Sequence, residues 1–246
     1  MICRLHGDSV YSNTRLAATR GTFQLGVIGS GTIESLKWLG LIVMFGEHWM
    51  RYVVGDLPGW LYQCGRVAFP LFVLALALGL RNLPDSKLPA AVMRLFAWAA
   101  VSQAGLELVD APENQLNVLF TLGLGVAIVV AFMRTRSPFL LALTLCAAGA
   151  VAVWCEFGVV GAAFVAAAVA LARASNPPAA AWIGVAALLA ALAIANRSHA
   201  GLAAVPLAMV ALSLDIRVPR VRRLFYWAYA FQFPLYAGAR MVLSSV

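Results

Sequence analysis

The stretch WLGLIVMFGEHWMRYVV, residues 38–54, opens as an uninterrupted apolar run and then carries Glu47, His48 and Arg51. An imidazole that titrates near neutrality beside a carboxylate suits proton transfer, as a general base or as one station of a proton relay. The next apolar run, WLYQCGRVAFPLFVLALALGL (60–80), carries Arg66. An arginine keeps its charge and must find a partner: Glu47, the backbone or a developing oxyanion would serve. Pro70 lies four residues further in and predicts a kink that frees backbone groups close to Arg66. Within the first run, Lys37, Leu41, Met44 and His48 follow the i, i+4, i+7, i+11 spacing of one helical face. At 1.5 Å per residue, Lys37 and His48 are about 16 Å apart along it. Glu47 falls on a neighbouring face with Arg51 one turn on, the geometry of a favourable ion pair.

The surroundings of these residues are dictated by composition. Of 246 residues, 63% are hydrophobic and 11% charged, and the mean hydropathy is +0.87. A water-soluble domain of this length could not cover so much apolar side chain, so the fold class expected is all-α: a polytopic transmembrane helical bundle of about nine spans. Turn and breaker residues bound the spans at approximately 35–54, 60–80, 92–109, 116–133, 138–154, 157–173, 179–195, 200–214 and 224–243. Residues 1–32 read as a polar cytoplasmic leader and 33–246 as one transmembrane domain. Arg66 then lies about 9 Å below the outer end of its span and His48 about 6–9 Å below that of the first, so the two share a depth. Charged groups in hydrocarbon cost roughly 2.5–3.5 kcal/mol each on insertion scales, which makes a cluster there a functional candidate.

Charge sets the orientation. With the leader inside, 14 of the 18 Lys and Arg residues fall on the inner side, leaving Arg51, Arg66, Arg197 and Arg240 outside. The bias predicts a cytoplasmic N-terminus, with the net charge of +8 meeting membrane lipid rather than nucleic acid. The four cysteines form no CxxC or Cys/His pattern, so no metal site is expected. No GxSxG, P-loop, GxGxxG or HExxH pattern occurs, which leaves hydrolase, nucleotide-driven and zinc-peptidase chemistry without a motif. Small residues crowd spans five to eight and predict close helix contacts in a scaffold half. Gln103, Glu107, Asn117, Thr121, Glu156, Gln232 and Arg240 read as hydrogen-bonding fasteners between helices, and the aromatic run LFYWAYAFQFPLY (224–236) as an interfacial belt, with a pocket wall as the alternative.

The motifs resemble a known family. ESLKWLGLIVMFGEHW (34–49) is similar to the first-helix motif of the TraX family of conjugative-pilin acetylases, D-x-L-K-W-I-A leading to L-M-x-x-D-H. GRVAFPLFVLALALGL (65–80) is similar to its G-R-[IL]-A-F-P-[IL]-F block, and RLFAWAAVSQ, LNVLFTLGLG and EFGVVG follow its later blocks in order. Glu47 and Glu156 stand where the family has aspartate, and Ala230 and Gln232 stand where it has proline and histidine. The resemblance implies an integral membrane acyltransferase with acetyl-CoA as donor and a pilin amine as acceptor. It also implies a bacterial inner-membrane location. Carried over, its motif puts Glu34, Lys37, Glu47 and His48 on the first helix and Arg66 on the second. We expect Lys37 and Glu34 to serve the donor and His48, Glu47 and Arg66 the catalysis.

On this reading CoA phosphates meet Lys37 and Arg81, Arg94 or the RVPRVRR cluster (217–223) at the inner surface, and the pantetheine arm follows the Lys37–His48 face. His48 acts as general base or as a transient acyl acceptor, Glu47 orients the ring or stabilises the imidazolium, and Arg66 stabilises the tetrahedral intermediate. Two other readings fit the same residues. One is a small proton-coupled transporter using Glu47, His48 and Arg66; the other is a non-catalytic membrane adaptor for a conjugative pilus apparatus.

Overall fold

The computed structural model describes residues 30–109, 115–213, 218 and 224–245. The leader up to residue 29, Asp110 and Glu113, and the arginines of the RVPRVRR cluster lie outside the described residues. Among the described residues the chain is helical throughout, apart from one isolated bridge between Leu116 and Cys155. The elements are α1 (Ser30–Trp49), α2 (Gly59–Gly65), α3 (Ala68–Leu80), α4 (Leu88–Leu106), α5 (Val118–Arg134), α6 (Pro138–Ala152), α7 (Gly158–Arg173), α8 (Ala179–Ala195), α9 (Ala204–Ser213) and α10 (Leu224–Ser244).

Local chemistry sets several of these boundaries. Asn117 caps α5 by accepting from the Leu119 amide, and Ser137 caps α6, where Pro138 fills the first helical position. Directly after α1 the chain widens into a π-helical turn, Met50–Val54. Gly55 closes that turn at φ +79°, with its N–H on the Met50 carbonyl.

The expected kink in the second span is a local distortion within one continuous helical stretch, Gly59–Leu80, and it lies one turn before Pro70. The chain turns at Arg66 and Val67, between α2 and α3. In a regular helix the Pro70 ring would meet the carbonyl four residues back, that of Arg66. With α3 starting at Ala68, Pro70 falls in the first turn, where its missing N–H would have had no intrahelical partner. Arg66 keeps helical backbone angles at this distortion, with φ -64° and ψ -16°.

α1, α3, α4, α5, α7 and α10 share the main core, which includes Leu41, Met44, Phe69, Val73, Leu95, Leu122, Val126, Val165 and Phe233. α1 and α3 run antiparallel: Gly40 lies against Phe72 and Ala68, while Glu47, further along α1, lies against Gly65. Arg173, at the end of α7, donates to the carbonyls of Leu80 and Leu83 and pairs with Asp85, tying α7 to the α3–α4 connection.

Small residues bring α5 and α7 close together, with Gly125 in the fourth expected span rather than in spans five to eight. A Cβ on Gly125 would sit 2.4 Å from Val165 Cβ and 2.8 Å from the Ala162 carbonyl oxygen. Gly125→Ala is therefore expected to push the helices apart and destabilise the protein by about 1–3 kcal/mol, read as a lower unfolding midpoint. An unchanged midpoint would show that the two helices separate freely.

Two helical stretches, Gly59–Leu80 and Asp85–Val109, are long and apolar enough to cross a membrane. The apolar helices from α5 to α9 are shorter, at 10–17 residues. Seventeen residues rise about 26 Å, just under a hydrocarbon core of about 30 Å. The apolar runs of the sequence are longer than these helices because they include cap and turn residues at their ends. Much apolar surface is nevertheless outward-facing: Phe139, Leu143, Ile183 and Ile194 are all more than half exposed.

Candidate active site

Glu47 is buried at 2% exposure, and its Oε1 accepts from two guanidiniums, Arg51 Nη2 and Arg66 Nη2, each at 2.5 Å. The first contact is the i, i+4 pair read from the sequence. The second joins α1 to the turn after α2. Gly65 makes the approach possible, since a Cβ there would lie 1.7 Å from Glu47 Oε2. The glycine of the G-R pair therefore makes room for the carboxylate that the neighbouring arginine binds.

Arg66 is held by aromatic faces as well. Its guanidinium carbon lies 4.6 Å from the Tyr62 ring centre and 5.9 Å from that of Phe157, which itself stacks on Phe69 at 3.9 Å. Its Nε is buried without a partner among the described residues and so remains a free donor.

His48 is buried next to Glu47 but does not bond to it. Its Nδ1 lies 3.2 Å from Gln232 Oε1 on α10. Tyr52, Phe233 and Tyr236 enclose the ring, with centroids 5.5, 5.6 and 6.5 Å away. Of the two roles expected for Glu47, orienting the imidazole by a hydrogen bond is not what the geometry gives: Oε1 binds two arginines, and an amide from the last helix meets the ring.

A cleft of about 80 Å³ is lined by His48, Arg51, Tyr52, Arg66, Glu156 and Tyr229, with Leu106, Gln115, Leu116, Asn117 and Phe233 completing its wall. A smaller cavity of about 20 Å³ adjoins it behind Glu47, Gly65 and Phe157. Glu156 arrives through the isolated bridge: Leu116 N–H donates to the Trp154 carbonyl, and Glu156 N–H donates back to Leu116. Its carboxylate accepts from the Val118 amide at the start of α5; burial pushes its pKa up, against the pull of Arg66. Asn117 and Gln103 brace the same corner, with Asn117 Nδ2 donating to the Ala99 carbonyl and to Gln103 Oε1. These two are the fasteners the sequence suggested. Glu156 is more, because its side chain faces the cleft.

The structure brings Glu47, His48 and Arg66 together and leaves the donor-side residues apart from them. Glu34 is buried near the start of α1, where one oxygen accepts from Lys37 Nζ at 2.8 Å and Oε2 has no partner among the described residues. Arg81 follows α3, and Arg94 is exposed on α4. The antiparallel packing puts all four toward the end of the bundle opposite the cleft. The Lys37–His48 face, expected to guide a pantetheine arm, is core in this conformation: Leu41 and Met44 are 7% and 5% exposed. Side chains that share a stripe with His48 are drawn into the same helix contacts that bury it.

Of the two readings of the α10 aromatic run, belt and pocket wall, each describes one face of the helix. The aromatic run splits by helical face: Tyr229, Gln232, Phe233 and Tyr236 turn inward, while Trp227, Phe231 and Leu235 are exposed. The i, i+3, i+4, i+7 spacing of the inward set was the available signal.

The fold and site define a class: an all-helical bundle whose core holds a histidine beside a carboxylate bridged by two arginines, with a second carboxylate across a small cleft. The description "TraX protein" covers a family whose model matches residues 32–239, and the chain belongs to the TraX family. It is 29% identical over 127 residues to Protein TraX of Escherichia coli, and 32% identical over 127 residues to Protein TraX of Escherichia coli strain K12. Each alignment covers 51% of this chain and 50% of the relative, so the matched segment is half the length of either relative. No solved structure matches.

Proposed function

We propose that the protein is an integral membrane acetyltransferase that moves an acetyl group from acetyl-CoA to an amine of a membrane-inserted pilin or similar acceptor. The observation that carries this reading is the cleft itself, which His48, Arg66 and Glu156 line together. In the reaction the amine nitrogen attacks the thioester carbonyl. His48 takes the proton that the nitrogen sheds, the C–S bond breaks as the carbonyl re-forms, and the proton passes to the departing thiolate. Arg66 lends charge to the tetrahedral oxyanion, an effect enlarged in a site closed to bulk water. Glu47 serves by holding Arg66 and Arg51 in place.

The exposed apolar surface of α6 and α8 and the two long apolar stretches support a membrane location. On the nine-span, N-terminus-inside reading of the charge bias, the cleft lies toward the outer side and Lys37, Arg81 and Arg94 toward the cytosol. The acceptor amine enters beside Gln115 and Leu116. The donor comes from the Lys37 end, which requires Leu41 and Met44 to move aside.

The test uses detergent-purified protein, acetyl-CoA and a pilin-derived substrate, followed by free-thiol release and the acetyl mass increment on the acceptor. Both are expected to rise together. Thiol release without the mass increment would overturn the acceptor. The absence of both, together with a Glu47-dependent proton flux in liposomes, would favour the proton-relay reading.

A further inference from the structure

Gln232 does not line the cleft, yet its amide oxygen is the polar group nearest the cleft histidine's far nitrogen. It is 1% exposed, with Oε1 3.2 Å from His48 Nδ1 and 3.5 Å from the Tyr236 hydroxyl oxygen, which also donates to the Phe45 carbonyl at 3.3 Å. An amide oxygen has lone pairs and no proton to give. The amide oxygen is turned to the ring, which leaves Gln232 Nε2 without a partner among the described residues. In that orientation the contact is a hydrogen bond only when the ring proton sits on Nδ1, and a neutral imidazole has just one such proton. His48 Nε2 is then left with its lone pair.

We propose that Gln232 is a positioning residue that fixes His48 as the Nδ1–H tautomer and so makes Nε2 the basic nitrogen. The consequence for rate rests on the acyl-transfer reading, whereas the tautomer does not. Three features point to this role. Glu47, the neighbour best able to take a ring proton, is already bound by Arg51 and Arg66. The aromatic rings around His48 hold its plane but do not choose between the two nitrogens. Finally, Gln232 is neutral. A carboxylate at the same place would draw a second proton onto the ring, and an imidazolium has no lone pair with which to act as a base. A buried amide selects the tautomer without adding charge, the part played by asparagine in Cys-His-Asn triads.

The experiment is nitrogen-15 NMR of the full chain, labelled at the histidine rings, with His6 and His199 replaced by glutamine so that His48 alone reports. The wild-type residue 232 is expected to give a protonated-type signal for Nδ1 and an unprotonated-type signal for Nε2. Gln232→Met keeps the volume and removes the acceptor; its signals are expected to shift toward the Nε2–H form, and kcat to fall about tenfold with KM little changed. Gln232→Asn, one methylene shorter, is expected to shift the same way and serves if the methionine variant does not fold. An Nε2–H ring in the unsubstituted protein overturns the proposal, as does an Nδ1–H ring that neither variant alters. A tautomer that depends on Gln232 in a protein that transfers no acetyl group would uphold this inference and sink the acetyltransferase reading.

Discussion

His48→Gln is expected to lower acetyl transfer by about 10²–10⁴-fold, the range typical of a positioned general base. Glutamine is preferred to alanine because His48 is buried among Tyr52, Phe233 and Tyr236, and truncation would open a cavity with its own cost. A glutamine amide fills most of the space and cannot take a proton at neutral pH. The loss should fall on kcat, with the unfolding midpoint close to that of the parent. The measurement is turnover with acetyl-CoA alongside thermal unfolding of the same preparation. Full turnover by this variant would remove the proposed base.

The second large effect concerns stability. Gly65→Ala is expected to cost about 3–5 kcal/mol, the range for breaking a buried ion pair. The new Cβ would fall 1.7 Å from Oε2, 2.3 Å from Cδ and 2.9 Å from Cγ of Glu47. A flexible side chain on a free surface would swing away, but this carboxylate is held by two guanidiniums at 2.5 Å. Moving it leaves Arg66, whose side chain is 10% exposed, without its counter-charge. Glu47→Ala alone should cost a similar amount for the same reason. In the double variant the penalties should not add, because the atoms that the new methyl group strikes are already gone. Strict additivity in denaturation experiments would show that Gly65 is not there to admit Glu47.

The difference between what was legible in the sequence and what was not follows particular residues. Glu47 and Arg51 could be paired on paper because helical spacing alone puts them side by side. Arg66 could be brought to the same level by counting rise per residue from each end, and the ion pair with Glu47 bears that out. Pro70 announced a disturbance, and because its ring acts on the carbonyl four residues back the helix is distorted at Arg66 and Val67 rather than at the proline. The Lys37–His48 stripe was a correct helical face with the wrong occupant: a stripe shows which side chains align, and only the packing of α3 and α10 against it shows that Leu41 and Met44 are filled in.

Gln232 lies 184 residues from His48 in the chain, and nothing local connects them. An amide in an aromatic run looks the same whether it faces lipid, a neighbouring helix or an imidazole. By itself, then, the sequence determined the helical character, the apolar surface, the family motifs and the pairs within one or two turns, because these depend on composition and on the 3.6-residue period. Only the tertiary structure decided which carboxylate meets which arginine oxygen to nitrogen, that Gly65 clears space for it, that Glu156 turns into the cleft, and that the last helix supplies the group facing His48. Those depend on distances between segments far apart in the chain, which the folding of the backbone sets and no periodicity encodes.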